Sequence, residues 1–146
     1  MEKQGKAISE ETKQFILKLQ QNEVTDRAIY LNLAKRVKKQ SEKETLQRIA
    51  EEEGVHCEIW EKYTNKKLTP QKLKVWLYAA ISFILGYTFA IKIMEKGEKD
   101  VQYIYSNLAQ EVPEAEQILK DEEIHEQALI DLLDEERLQY VGSMVL

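Results

Sequence analysis

Residues 22–34 read NEVTDRAIYLNLA, and residues 97–109 read GEKDVQYIYSNLA. Six of the 13 positions agree at an offset of 75: Glu23/Glu98, Ile29/Ile104, Tyr30/Tyr105, Asn32/Asn107, Leu33/Leu108 and Ala34/Ala109. A second pair follows the two copies: Glu53-Gly-Val-His56 matches Glu122-Glu-Ile-His125 at an offset of 69. The chain therefore reads as two copies of a helix pair. Two units are too few for a solenoid, but they suit an all-α four-helix bundle with one long crossover connection.

Local signals place the four helices. Ser9, followed by Glu10 and Glu11, predicts the start of a helix that runs to about Lys39. Ser41 and Glu44 form a capping-box pattern for a second helix reaching about Tyr63. Thr69-Pro70 is a third start signal. Pro113 with Glu114 and Glu116 is a fourth, for a helix to about Gln139. Val75 to Ile91 carries no charge and would reach roughly 25 Å as a helix at ~1.5 Å per residue. Two readings compete for it: a membrane span, or a crossover packed in the core or against a second subunit, as in a homodimer.

Composition excludes several classes. The 146 residues are the size of one domain, with 43% hydrophobic and 32% charged residues, which is neither disordered nor ordinary membrane protein. With only 5 Gly and 2 Pro, and no Gly-x-Gly, a β-sandwich or a phosphate-cradling loop is excluded. The single Cys57 excludes a disulfide framework or a four-cysteine iron or zinc site, and it reads as a small buried filler. A net charge of −5 argues against nucleic-acid binding. Met1 to Lys13 is polar and does not read as a signal peptide.

The apolar stripes carry the functional signal, because each is interrupted by acid. The first runs Phe15/Ile16, Leu19, Glu23, Tyr30, Leu33/Ala34 and Val37. The second is Leu46, Ile49, Glu53, His56, Trp60 and Tyr63, with only Glu53 of the Glu51–Glu53 run pointing inward. The third is Ile91, Met94, Glu98, Val101, Tyr105 and Leu108; the fourth is Ala115, Ile118, Glu122, His125, Leu129 and Leu132. Glu23 lies 17 residues before Gln40 and Glu53 lies 13 after it; Glu98 lies 14 before Val112 and Glu122 lies 10 after it. Both mismatches equal about one helical turn, so the four groups should meet at one height.

Four carboxylates buried together need positive charge, or they would protonate. No Lys or Arg falls on these stripes at that height. Four carboxylates and two imidazoles match two divalent ions, and oxygen and nitrogen donors without thiolate suit iron or manganese and tolerate zinc. A Glu from each of two helices plus Glu-x-x-His from the other two is the di-iron carboxylate arrangement. Tyr30 and Tyr105, two turns beyond Glu23 and Glu98, read either as core aromatics or as groups that serve the site by hydrogen bonding or electron donation.

On these motifs the sequence resembles the ferritin-like superfamily, and within it the rubrerythrin-type domain, over about residues 9–139. The resemblance implies two iron ions bridged by Glu53 and Glu122, with Glu23, Glu98, His56 and His125 each serving one. Rubrerythrins often carry a further carboxylate one turn after the third-helix glutamate; that position is Val101, and Glu95, one turn before Glu98, is the candidate substitute ligand. The apolar end of the chain, residues 140–146, is similar to the junction where a membrane-bound ferritin-like domain precedes a vacuolar-iron-transporter-type membrane domain. The resemblance thus implies a cytoplasmic domain, attached to a membrane domain outside this chain. It would bind Fe(II), oxidise it with O₂ or peroxide, and handle or sense iron for the transporter. The alternatives are a rubrerythrin-like peroxidase with an external electron donor, and a non-enzymatic dimerisation module stabilised by metal.

Overall fold

A computed structural model describes residues 8–94, 96, 108 and 111–145, with side chains through residue 134. Among these residues the elements are α1 (Glu10–Arg36), α2 (Gln40–Thr64), α3 (Lys72–Leu85), α4 (residues 87–94) and α5 (Glu114–Val145). The fold is an all-α, ferritin-like helical bundle with a crossover connection, and the crossover is itself helical.

The Ser9 side chain accepts a hydrogen bond from the Thr12 amide and caps α1, as its position predicts. Glu111 extends this cap by accepting from the Ser9 amide at 2.9 Å and from the Thr12 hydroxyl. Other boundaries differ from the sequence reading. Helix α1 stops at Arg36, because Val37 turns extended, so the link to α2 is only residues 37–39. The Ser41–Glu44 capping box does not form: α2 starts at Gln40, and its cap residue Lys39 makes no side-chain cap bond. Nor does Thr69 cap α3, which begins at Lys72 behind Gln71. Instead the Thr69 carbonyl accepts from Gln21 Nε2 at 2.9 Å. Helix α5 continues past Gln139 to Val145.

The connection from α2 to α3 is tied to α1 by amide and hydroxyl groups. Thr64 Oγ1 donates to Gln20 Oε1 at 2.7 Å, and Gln20 Nε2 donates to the Lys66 carbonyl at 2.7 Å. The Gln71 amide donates to Thr25 Oγ1 at 3.1 Å. Buried polar groups paired in this way fix where the crossover leaves the bundle.

Val75 to Ile91 is not one continuous helix. Gly86 interrupts it with φ 95 and ψ 157, and no helix of the described residues is long and apolar enough to cross a membrane. The core reading holds only for one side. Val75, Tyr78, Ile81 and Tyr87 pack on the core, and Ala90, Ile91 and Met94 are buried in it. The other side of α3 faces solvent with Leu73, Trp76, Leu77, Phe83 and Ile84.

The core has two apolar layers. One gathers Ile29, Tyr30, Leu33, Leu46, Ile49, Ala90, Ile91, Leu129 and Leu132. The other gathers Ile16, Leu19, Trp60, Tyr63, Leu108, Val112, Ala115 and Ile118. Along α1, α2 and α5 the residues between these layers include Glu23, Glu53 with His56, and Glu122 with His125. A polar layer therefore crosses the middle of the bundle.

The Gly86 conformation belongs to a region that other residues reach only with strain of ~1–3 kcal/mol. A Cβ there would meet nothing within 4 Å, so backbone strain alone would act. Gly86→Ala should lower stability by about that amount in chemical denaturation. Gly54→Ala, in the interior of α2, should be near neutral, because its Cβ would press only the flexible Arg27 side chain at 3.1 Å.

Candidate metal centre

Glu23, Glu53, His56, Glu122 and His125 are each 3% exposed or less. Ligand atoms of Glu23, Glu53, His56 and Glu122 all lie within 4.8 Å of one another. His56 Nδ1 sits 3.0 Å from Glu23 Oε2 and 3.2 Å from Glu122 Oε1. His125 Nδ1 sits 3.2 Å from Glu53 Oε1 and 3.8 Å from Glu122 Oε2. The two oxygens of Glu122 thus face different imidazoles. Glu53 likewise belongs to the group around His56 and also touches His125. The rings stack with centroids 5.9 Å apart.

The outer ring nitrogens show a device that the sequence reading missed. His56 Nε2 donates to Asp121 Oδ2 at 2.8 Å, and His125 Nε2 donates to Glu52 Oε2. Asp121 and Glu52 are the residues just before Glu122 and Glu53. Each histidine is therefore held by the neighbour of the other helix's ligand glutamate. Glu52, which the stripe left outside the inward face, is 40% exposed and still reaches His125. The available signal was an acid at the same position in both copies, Glu52-Glu53-x-x-His56 and Asp121-Glu122-x-x-His125.

This arrangement turns Nδ1 of both rings toward the carboxylates. Carboxylate oxygens accept only, so in the protein alone both nitrogens of each ring carry protons. Burial pushes the His56 value down, but hydrogen bonds and charge from Glu122 and Glu23 outweigh it and hold the group at about 11. His125 is raised for the same reasons, with Glu122 and then Glu52 overcoming burial. Asp26, one turn beyond Glu23, is pushed up to about 7 by burial, with Lys74 opposing and Glu23 and Glu122 adding to the shift. Burial first, then the charge of Glu23, pushes the Cys57 thiol up to about 12, so it is a neutral thiol.

The donor set fits a divalent cation. Convergent carboxylate oxygens and imidazole Nδ1 atoms lie in a water-poor layer, and carboxylates orient both rings from behind, as metal-ligating histidines are oriented. Glu23, Glu53, His56 and Glu122 form one convergent group, and His125 lies beside it against Glu53 and Glu122. Glu98, Glu95, Val101 and Tyr105 lie outside the described residues. Tyr30 is fully buried in the apolar layer beside the cluster.

A helical bundle with a crossover, whose inward faces meet in a buried Glu/His cluster able to coordinate metal, is a ferritin-like carboxylate protein. The chain matches Rubrerythrin over residues 18–133 and belongs to the rubrerythrin family. No curated protein and no solved structure matches it.

Protonation gives a signed prediction. The folded value of His56, about 11, lies above its usual 6.5, so its contribution to stability is complete below pH 6.5 and is lost as pH rises toward 11. Thermal melts with chelator should show the midpoint falling across that window. Metal must displace the Nδ1 protons, so binding should release about one proton per imidazole at neutral pH. Calorimetry in two buffers of different ionisation enthalpy measures this release. Asp121→Ala and Glu52→Ala should each weaken metal affinity by ~10–100-fold in competition with a chelating dye, because the freed ring loses its orientation.

Proposed function

We propose that this chain is a di-iron peroxidase domain that reduces hydrogen peroxide with electrons from an external donor. The observation that carries the reading is the pair of shared carboxylates, Glu53 and Glu122, set between two imidazoles whose outer nitrogens are anchored. With one cysteine, the chain has no four-cysteine iron module of its own to relay electrons. Family membership supports the same choice.

Two bound ferrous ions would supply the two electrons that cleave the O–O bond, so that peroxide, two electrons and two protons give two waters. The protein residues set the conditions for this. Glu53 and Glu122 would neutralise both ions, whereas Glu23, Glu98, His56 and His125 would each serve one. Asp121 and Glu52 keep the imidazoles aimed. Asp26, at about 7, exchanges a proton near neutrality beside Glu23. The apolar layers exclude bulk water, which strengthens every charge interaction in the site.

Ferrous ion as substrate is the second reading, favoured by the same acidic donor set. Iron oxidised there would be handled for, or reported to, a membrane transporter attached beyond this chain. Ferrous iron and a single thiol suit a reducing, cytoplasmic setting.

Steady-state assays separate the two readings. Peroxide consumption that continues with a reductant supports the peroxidase. Fe(II) oxidation that tracks iron supplied, with no reductant-driven turnover, supports the iron-handling role. Glu53→Ala should lose both irons, because removing a shared carboxylate raises ion–ion repulsion as well as removing a ligand from each. Glu23→Ala should keep about one iron per chain, since water can fill a position on a single ion. Equal losses in elemental analysis would refute the bridging assignment.

A further inference from the structure

Helix α2 carries two aromatic side chains beyond the metal centre that ligand binding does not use. Trp60 follows His56 by four residues and Tyr63 follows Trp60 by three, so all three share one face of the helix. At ~1.5 Å per residue the two steps rise roughly 6 Å and roughly 4.5 Å along the axis. Trp60 is fully buried and Tyr63 nearly so, in a layer they share with Ile16, Leu19, Val112, Ala115 and Ile118.

The far end of this ladder is chemically specific. Tyr63 donates its phenolic hydrogen to Glu114 Oε2, on the first turn of α5. Burial asks only that a phenol find some acceptor. A carboxylate is also a base, here within hydrogen-bond reach of the proton it would take. Burial, then the hydrogen bond and charge of Glu114, raises the phenol's pKa above its usual value, so the group stays protonated. A phenol that loses an electron becomes a strong acid. It gives up the electron readily only where a base accepts the proton in the same step. Aliphatic neighbours cannot carry an electron, whereas the indole of Trp60 can. Glu114 is partly exposed, so the ladder runs from the imidazole of His56 to the surface between α2 and α5.

We propose that Tyr63 is a one-electron donor to the metal centre, with Trp60 as the relay and Glu114 as the proton acceptor. This rests on the peroxidase reading and adds the route by which single electrons enter. Peroxide takes two electrons and two protons. Where a chain holds one ferrous ion, iron supplies one electron, and the second comes from Tyr63 through Trp60. The O–O bond breaks and two protons from solvent complete two waters. Iron ends ferric, Tyr63 ends as a neutral radical, and its phenolic proton rests on Glu114. A one-electron reductant such as ascorbate then restores the phenol, as Glu114 returns the proton.

The test mixes the whole chain, loaded with one ferrous ion, with hydrogen peroxide and freezes it at intervals. Electron paramagnetic resonance reads ferric iron and organic radical separately. The expected result is a tyrosyl radical whose signal narrows with ring-deuterated tyrosine and disappears with ascorbate. Tyr63→Phe should lose the radical while binding the same iron by elemental analysis. Glu114→Gln keeps a hydrogen-bond acceptor but removes the base, so radical formation should slow by roughly 10²-fold. That variant keeps the test open if Tyr63→Phe misfolds. Trp60→Phe should slow radical formation as well. Ferric iron without a tyrosyl radical, a radical that persists in Tyr63→Phe at a site such as Tyr30, or an unchanged rate in Glu114→Gln or Trp60→Phe would overturn the relay and leave the peroxidase reading standing. No ferric iron from peroxide would overturn both.

Discussion

Burial of carboxylates in the middle of the bundle governs the rest of the structure. Glu23, Glu53 and Glu122 lie between two apolar layers that exclude water. Charged groups in such a place are strongly unfavourable unless cations face them. Within the protein the imidazoles of His56 and His125 meet this need, and their raised proton affinities record how much negative charge surrounds them. A divalent metal would answer the same demand with more charge in less space, so metal and protons compete for the same Nδ1 atoms.

The crossed anchoring of the histidines converts this local demand into tertiary order. Glu52 on α2 holds His125 on α5, and Asp121 on α5 holds His56 on α2. Neither helix can rotate or slide without releasing the imidazole of the other. The site is thus a clasp between the two halves of the internal repeat. Its near-symmetry follows from the repeat, because the same acid–Glu–x–x–His pattern occurs once in each half.

The chain leaves the α1–α2 pair by a long helical crossover, and that path shapes the surface. Hydrogen bonds donated by Gln20 and Gln21 and accepted by Thr25 on α1 anchor the departure of the crossover, and Gly86 supplies the bend that lets α4 turn back into the core. Only one side of α3 can then touch the bundle. Lys74 on α3 also feels Asp26 beside the cluster, so the crossover is electrically linked to the site it spans.

The helical class, the internal repeat and the inward-facing Glu and His positions were legible in the sequence, because apolar periodicity reports directly which side of a helix is buried. All the named residues of the second and fourth stripes are buried as their spacing implies. Glu98, Glu95 and Tyr105 remain readings of sequence alone. Three things needed the tertiary structure. The caps at Ser41 and Thr69 lose to neighbouring starts, since helix ends are settled by small energies that chain connections override. The partners of Glu52, Asp121 and Asp26 come from other helices, and one-dimensional spacing carries no information on rotation between helices. The solvent side of α3 was likewise undecided, because an uncharged run has no polar face to mark its orientation. Periodicity within one helix is a local property written in the chain, whereas the pairing of its polar groups depends on how separate helices pack.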